Sequence, residues 1–384
     1  MAESKLTKIG YELEDVNIVQ APISYIEHRS ECDPMIEMCG RKVYPVIVAP
    51  MGAVTDENNY KIWLDNGFIC VVPRTVDYEK RIEISKETFA SFSLSEAKTL
   101  AKDIDDGEMH YICIDIAHGT MSALYSVCHR LRGKFRDKIV IITGNVAVPG
   151  AYDYYANNQI DFMRACIGTG SRCITTSNVG IHYPTATLID ELRMEKDDKL
   201  AWDGESEAKT EIIVDGGIHN FDDIQKCLCL GAFAVMSGSI FAKAQEACES
   251  IVFLHPDNLN MADAIPAEEY YDKLKELKDK SDLMENEDNE YWDSYRKLSK
   301  RKPYRLYYGM STKKAQKLTG GSGKVTSEGF SRPIPVEYPI AKWAEDMADY
   351  MRSCMSYTGC RTIEELRENT KLIINASGKN SYWK

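Results

Sequence analysis

The sequence predicts an α/β fold, a (β/α)8 TIM barrel with a C-terminal flap and a helical tail. Two observations support this prediction. Eight short runs of apolar and β-branched residues follow one another, and most precede a stretch with apolar residues at helical spacings of three and four. Eight such units in succession are typical of a closed barrel of parallel strands. The runs are Pro45–Pro50, Gly67–Val72, Phe89–Leu94, Tyr111–Ala117, Ile139–Val146, Phe162–Gly168, Thr210–Gly217 and Ala232–Ser239.

Predicted helices lie between the runs, for example at Ser122–Phe135, Thr185–Met194 and Phe221–Leu230. Strands this apolar must be covered on both faces, which favours a parallel sheet flanked by helices over hairpins. An open doubly wound sheet is the alternative, and it would carry a glycine-rich dinucleotide fingerprint after its first strand. The segment A-P-M-G-A-V-T-D at 49–56 has no such fingerprint, so we favour the barrel.

We expect a single domain over residues 1–384, in which other segments surround the barrel. The insert that follows the barrel is dense in Glu, Asp, Lys and Tyr, which predicts a solvated helix and an acidic, partly mobile excursion. A glycine-rich segment after it predicts a flap over the barrel mouth. Two amphipathic helices, at 343–357 and 362–370, should pack against the barrel. The segments are an N-terminal arm over 1–42, the barrel over 43–255, the acidic insert over 263–302, and the flap with the C-terminal helices over 303–384.

Composition and charge limit the classes of protein. A hydrophobic share of 44% with 28% charged residues is ordinary for a globular protein. The net charge of -12 argues against nucleic acid or an anionic membrane as the main partner. The twelve cysteines form no C-x-x-C pair, and we find neither a signal-peptide pattern nor a run long enough to cross a membrane. We therefore expect a cytoplasmic protein with reduced thiols.

Chemically useful residues follow the predicted strands, where a barrel places its active site. Cys173 lies in the glycine-rich loop after the sixth run. Such a loop can hold a cysteine as the nucleophilic thiolate, although the loop taken alone favours a turn with a buried thiol. The segments D-G-G-I at 215–218 and S-G-S at 237–239 follow the last two runs and expose backbone N–H groups. We interpret these two segments as a phosphate-binding site. The alternative is that their glycines only permit tight turns.

Seven motifs, taken together and in this order, resemble the IMP dehydrogenase/GMP reductase family across nearly the whole chain. The resemblance implies a (β/α)8 barrel, which agrees with the count of strands. Within the family the chain looks like the reductase branch, because no pair of regulatory modules is inserted between the second and third units. The motifs are A-P-M-G-A-V-T at 49–55, G-N-V at 144–146, I-G-T-G-S-R-C-I-T-T at 167–176, I-V-D-G-G-I at 213–218, A-V-M-S-G-S at 234–239, Y-Y-G-M-S at 307–311 and S-E-G at 327–329.

The resemblance implies an oxidoreductase that converts GMP to IMP and ammonia with NADPH. Cys173 would attack C2 of the purine to form a thioimidate, while Thr175 and Glu328 handle the proton of the departing ammonia. Some family members hold a potassium ion on main-chain carbonyls, which match Gly168, Gly170 and Cys173 here. The family's enzymes are homotetramers, so the resemblance implies that state as well.

Binding residues follow from the same resemblance. The 5′-phosphate would be held by the two glycine loops and a tyrosine, the ribose by an aspartate, and the base by two methionines and a serine. The purine nucleoside monophosphate would contact Met51, Ser171, Asp215, Gly217, Gly238, Ser239, Tyr307, Met310 and Ser311. The nicotinamide cofactor would contact Arg74, Asp115, Ala117 and Gly119.

The chain also departs from the reductase pattern around the base and the cation site. Thr176 stands where the reductase commonly has an arginine, and Ile174 follows the cysteine as in some dehydrogenases. Val325 replaces an arginine that usually precedes the flap glutamate, although Lys324 is adjacent. The choice of NADPH over NADH is therefore open. Two alternatives remain: an IMP dehydrogenase-like enzyme that oxidises IMP to XMP with NAD, and a relative that binds or converts a modified purine nucleotide.

Overall fold

Apolar runs separated by turns form the parallel strands that the sequence predicts. The structure is a computed structural model that describes residues 8–169, 175–203, 210–283, 290–310, 312–319 and 329–375, without the side chains of residues 175, 202 and 203. Its strands are β1 (Val16–Val19), β2 (Ile36–Met38), β3 (Arg41–Val43), β4 (Val46–Val48), β5 (Val71–Val72), β6 (Phe89–Phe92), β7 (His110–Asp115), β8 (Ile139–Val146), β9 (Phe162–Ala165), β10 (Glu211–Asp215), β11 (Ala234–Ser237), β12 (Ile251–Leu254), β13 (Ile265–Pro266), β14 (Lys302–Tyr308), β15 (Ser331–Pro335) and β16 (Lys371–Ile374).

Helices alternate with the strands over most of this length. They are α1 (Tyr60–Asp65), α2 (Tyr78–Ile84), α3 (Leu94–Asp103), α4 (Ser122–Phe135), α5 (Tyr152–Asn157), α6 (Thr175–Val179), α7 (Thr185–Asp203), α8 (Phe221–Cys229), α9 (Ser239–Ala242), α10 (Ala267–Asp282), α11 (Glu290–Ser299), α12 (Lys313–Leu318), α13 (Ile340–Thr358) and α14 (Ile363–Asn369). None of the helices in the described part of the chain is both long and apolar enough to cross a membrane.

The eight strands β4 to β11 form the predicted barrel. They are parallel and lie in the order β4-β11-β10-β9-β8-β7-β6-β5. The two ends of this sheet meet, because Val48 N–H donates to Ile69 O at 2.9 Å and Val48 bridges Cys70 just before β5. Seven of the eight predicted runs contain one of these strands entirely, and β7 begins one residue before its run, at His110. The (β/α)8 prediction is confirmed.

Strands that are buried on both faces explain why the runs are apolar throughout instead of alternating. Every residue of β4, β6, β9 and β11 is buried. The outer faces are covered by helices such as α4, which buries Leu124 and Leu131, and α8, which buries Cys227 and Leu228. Each buried leucine contributes roughly 1.5–3 kcal/mol relative to an exposed one.

The helix of the eighth unit is far from its strand in the sequence. The short α9 follows β11, and after it comes an excursion that contains the antiparallel sheet β13-β12-β14-β15 and the helices α10, α11 and α12. The covering helix is α13, whose Trp343 ring lies 5.4 Å from Phe221, 6.2 Å from Phe68 and 6.3 Å from Phe241 between centroids. The predicted amphipathic tail helices are thus α13 and α14, and α13 completes the barrel wall.

The N-terminal arm and the C-terminal end pair with each other. Strand β1 is antiparallel to β16, with Val16 opposite Ile374. The β2–β3 hairpin lies at the end of this arm, directly before the first barrel strand.

The acidic insert forms two helices, α10 and α11, which contact each other. The sequence predicted one solvated helix with a partly mobile excursion. Residues 284–289, between the two helices, lie outside the described part, so the mobility stays a prediction. The Tyr270 ring stacks on Phe253 with centroids 3.7 Å apart and planes at 3°, which fixes α10 on the small sheet.

Candidate active site

A buried arginine joins two carboxylates at the mouth of the barrel. Asp115 is the last residue of β7 and Asp215 the last of β10, so both stand at carboxyl ends of parallel strands. Arg164, on β9 between them, is only 5% exposed. Its guanidinium donates to Asp115 Oδ1 at 2.7 Å and to Asp215 Oδ2 at 2.7 and 3.1 Å. Removing one partner of such a buried pair typically costs about 3–5 kcal/mol, because a charge is left unpaired.

Gly144 and Asn145 on β8 allow Arg164 to reach across the sheet. Asp115 pairs in register with Gly144, and Gly144 with Arg164. A Cβ on Gly144 would lie 2.5 Å from the carbonyl oxygen of Arg164, so only glycine permits this close approach. Asn145 Nδ2 donates to Asp215 Oδ2 at 2.8 Å. Four neighbouring strands, β7 to β10, therefore contribute to one polar network.

The network keeps Asp115 ionised. Burial by itself raises the pKa of Asp115, but the guanidinium groups of Arg164 and Arg74 outweigh it and hold the pKa below its usual range. Burial would lower the pKa of Arg164, yet the two carboxylates raise it well above its ordinary value. A carboxylate fixed in the charged form can orient a ligand but is a poor proton donor near neutral pH. Any general acid of this site must therefore be another group.

The two predicted phosphate loops lie side by side after the adjacent strands β10 and β11. Gly217 has a φ of +76°, in the first loop. Ser239 begins α9 in the second loop, directly after Gly238, and its Oγ donates to Ile218 O at 3.4 Å. The structure thus brings Gly217, Gly238 and Ser239 together, while their contact with a phosphate stays a prediction.

Met51 and Tyr307 meet over the second glycine loop. Tyr307 Oη donates to Met51 Sδ at 3.2 Å. A Cβ on Gly238 would lie 2.2 Å from Met51 Sδ and 2.4 Å from Tyr307 Oη, so this packing depends on glycine. Met310 follows β14 and is partly buried against the core. Two predicted substrate contacts from distant parts of the sequence, Met51 and Tyr307, thus share one surface with the glycine loop.

Two of the predicted cofactor residues, Arg74 and Gly119, contact members of the polar network. Arg74 Nε lies 3.7 Å from Asp115 Oδ2. That Nε is buried and has no hydrogen-bond partner within the described residues, so it could donate to a polar ligand group. Gly119 N–H donates to Asn145 O at 2.8 Å, and Ala117 is exposed nearby in the chain.

Several predicted residues lie outside the described part of the chain. These are Gly170, Ser171, Cys173, Ser311 and Glu328, and Thr175 begins α6 without a described side chain. Gly168, the one described member of the predicted potassium site, precedes Thr169, whose Oγ1 donates to Asp215 O at 3.3 Å. This bond ties the start of the Cys173 loop to the network. Within the described ranges, no group of three or more His, Cys, Asp or Glu side chains could hold a metal ion.

Arg164 and Asn145 are site residues that the sequence analysis did not single out as candidates. The signal for Arg164 was available, because it is the one charged residue in the F-M-R-A strand, and a charge in a fully buried strand requires a partner. Asn145 stood in the G-N-V motif but was given no role. Both connect residues that were predicted separately.

Comparison with known proteins identifies relatives of this chain. Residues 86–264 match the model of the "IMP dehydrogenase / GMP reductase domain". The chain is 31% identical over 247 residues to a GMP reductase of Bacillus licheniformis, covering 62% of this chain and 72% of that enzyme. It is 30% identical over 247 residues to a GMP reductase of Bacillus subtilis, with the same coverage. It is also 33% identical over 231 residues to a GMP reductase of Delftia acidovorans, covering 58% of this chain and 67% of that enzyme.

Proposed function

The chain belongs to the IMP dehydrogenase/GMP reductase family, and on this premise we propose that it is a GMP reductase-like enzyme. It would convert GMP to IMP and ammonia with NADPH as the reductant. The observation that carries the proposal is the bridge made by Arg164. One cation fixes Asp215, assigned to the ribose of the nucleotide, and Asp115, assigned to the nicotinamide side, in a single rigid network. Such a network sets the distance between the two reactants.

The proposed chemistry begins at Cys173. Its Sγ forms a bond to C2 of the purine, and the bond from C2 to the exocyclic nitrogen breaks as ammonia leaves. Glu328 and Thr175 supply the proton for the ammonia, which agrees with the charged state of Asp115, because that carboxylate is a poor acid. Held beside Arg74, Asp115, Ala117 and Gly119, NADPH would supply a hydride for C2, and the Cys173 thiolate would be the leaving group as IMP forms.

Two features support a polar cofactor beside Asp115. The buried Nε of Arg74 is paired with Asp115 in charge at 3.7 Å but makes no hydrogen bond among the described residues, so it could donate one to an amide or phosphate group. Asp115 is already ionised and oriented. The proposal further includes a potassium ion at the carbonyls of Gly168, Gly170 and Cys173, and a homotetramer. It also includes a cytoplasmic location, which is supported by the free state of the eleven described cysteines.

The direct test follows nicotinamide absorbance with GMP plus NADPH and, in a separate reaction, with IMP plus NAD. We expect NADPH oxidation that requires GMP, with one ammonia released per turnover. Clear NAD reduction with IMP, together with no NADPH oxidation in the reaction with GMP, would refute the reductase proposal.

The dehydrogenase direction is the second candidate, and one observation favours testing it. Thr176, which replaces an arginine of the usual reductase pattern, donates through Oγ1 to Ile181 O at 3.4 Å. The side chain at this position is therefore uncharged and bonded to its own loop. A dehydrogenase-like chain would still need the Arg164 network, so the two assays and not the network decide between the directions.

Gly238→Ala is expected to raise the KM for GMP by about tenfold or more, because the new Cβ displaces Met51 Sδ and Tyr307 Oη from the nucleotide surface. Tyr307 is only 3% exposed and its ring is rigid, so we also expect a loss of stability. Steady-state kinetics and thermal unfolding measure the two effects. Gly133→Ala is the matched control: its Cβ meets nothing within 4 Å, and alanine should stabilise α4 by up to about 1 kcal/mol. An unchanged KM in Gly238→Ala would exclude the nucleotide from this surface.

A further inference from the structure

A basic cavity lies directly outside the second glycine loop. Its volume is about 530 Å³, within the range of small-molecule sites. It is bounded by the loop after β10, by α9, and by the edge strand β15. Its polar lining includes His219, Ser239, Lys243, Tyr304, Arg332 and Tyr338.

The cavity has an excess of positive charge in a chain whose net charge is -12. Lys243 Nζ lies 3.2 Å from Glu337 Oε2, but both side chains are more than a third exposed, so this pairing is weak. Among the described residues no carboxylate pairs with Arg332. Asp223 is close to His219, yet its Oδ2 already accepts two backbone N–H bonds at 2.9 Å. Cations gathered against the overall charge indicate an anionic ligand.

The cavity continues the proposed phosphate site. Ser239 belongs to both, and His219 follows Gly217 by two residues. Arg332 lies directly opposite Tyr307 in the β14–β15 pairing, so their side chains project from the same face of the sheet. Tyr338 Oη donates to Ile240 O at 2.9 Å and fixes the cavity wall against α9. A group attached to a phosphate held at Gly217 and Gly238 would therefore extend towards Arg332 and Lys243.

We propose that this cavity binds a second phosphate group, so that nucleoside 5′-diphosphates are preferred ligands of the site. Arg332 can form charge-assisted bonds with phosphate oxygens in its fork geometry, and Lys243 adds a point charge. The inference rests on the proposed function only for the position of the first phosphate. It identifies either an additional substrate or an inhibitor that competes with GMP.

The test compares the binding of GMP and GDP by calorimetry in a buffer without divalent cations. We expect the wild-type protein to bind GDP at least about tenfold more tightly than GMP. Arg332→Gln should bring this ratio close to one while the Kd for GMP changes less than about twofold. Arg332 is exposed at the cavity edge, so the variant should fold normally. Arg296→Gln is the matched control, because it removes an exposed arginine of α11 outside the cavity lining and should leave the ratio unchanged.

The contrary outcomes are distinguishable. Equal binding of GDP and GMP by the wild-type protein, or a ratio that survives in both Arg332→Gln and Lys243→Gln, would overturn the cavity assignment and leave the reductase proposal intact. A rise in KM for NADPH but not for NADH in Arg332→Gln, with no preference for GDP, would also overturn it and assign the cavity to the cofactor's 2′-phosphate. Absence of binding to either nucleotide would instead contradict the proposed function itself.

Discussion

Arg164→Met is expected to destabilise the protein by about 3–5 kcal/mol and to abolish turnover. Without the guanidinium, Asp115 and Asp215 face each other as like charges in a buried mouth. Burial, which raises the pKa of Asp115, is then no longer outweighed by Arg164. The ribose and nicotinamide sides of the site also lose their common anchor.

The stability lost in Arg164→Met should depend on pH in a definite direction. In the wild-type protein the pKa of Asp115 is depressed, so its contribution to stability is present above about pH 3.9 and is lost as the pH falls through the folded-state pKa. In Arg164→Met the burial of Asp115 and the like charge of Asp215 are opposed only by Arg74, so we expect the pKa of Asp115 to rise above its unfolded-state value, and acidification from neutral pH should then stabilise the variant. Urea unfolding near pH 7 and pH 5 should therefore show a smaller difference between variant and wild type at the lower pH.

Arg81→Met is the matched control for Arg164→Met. Arg81 is also buried and pairs with Glu96 at 2.6 Å, but it lies on α2, outside the site network. It should cost less stability, because the Glu96 side chain is 29% exposed, and the folded fraction should keep its kcat. Equal losses of activity in the two variants would mean that Arg164 acts only by stabilising the fold.

Cys173→Ala is expected to lower kcat for GMP-dependent NADPH oxidation by at least about a thousandfold, because the proposed route requires a thiolate nucleophile. Other thiols of the barrel do not offer a substitute. Burial raises the pKa of both Cys113 and Cys166 to about 12, so each stays a neutral thiol at the pH of the assay. Cys128→Ala, in the buried face of α4, is the control and should keep full turnover per folded molecule. Activity of Cys173→Ala within tenfold of wild type would exclude the covalent route while leaving the family assignment unaffected.

The barrel strands could be predicted because their signal is local. A run such as V-I-V in β4 or F-A-S-F in β6 lacks alternation, and that pattern is expected only where both faces of the sheet are buried. The pairing of β1 with β16 could not be predicted in this way. Its partners lie at opposite ends of the chain, and K-L-I-I has no feature that identifies V-N-I-V as its neighbour.

The site was predicted unevenly for a physical reason. Asp115 and Asp215 stand at strand ends, where the barrel rule directs attention. Arg164 lies inside a strand, and its role depends on which strands flank it and on the missing side chain of Gly144. The cavity beside Arg332 could not be foreseen either, because β15 joins β14 only after the long excursion has folded back. The residue pattern within one segment is enough to predict where a strand ends. Contacts between distant segments can be identified only once the fold is known.

The late position of α13 has a consequence for biosynthesis. A ribosome produces all eight barrel strands before it reaches Ile340, so the nascent barrel lacks its last wall for the whole time that the excursion is being made. During that interval Phe68, Phe221 and Phe241 have no Trp343 to pack against. The nascent chain therefore exposes an aromatic surface to which chaperones or other copies of the chain can bind. This aromatic surface is covered only after α13 has left the ribosome and packed on the barrel.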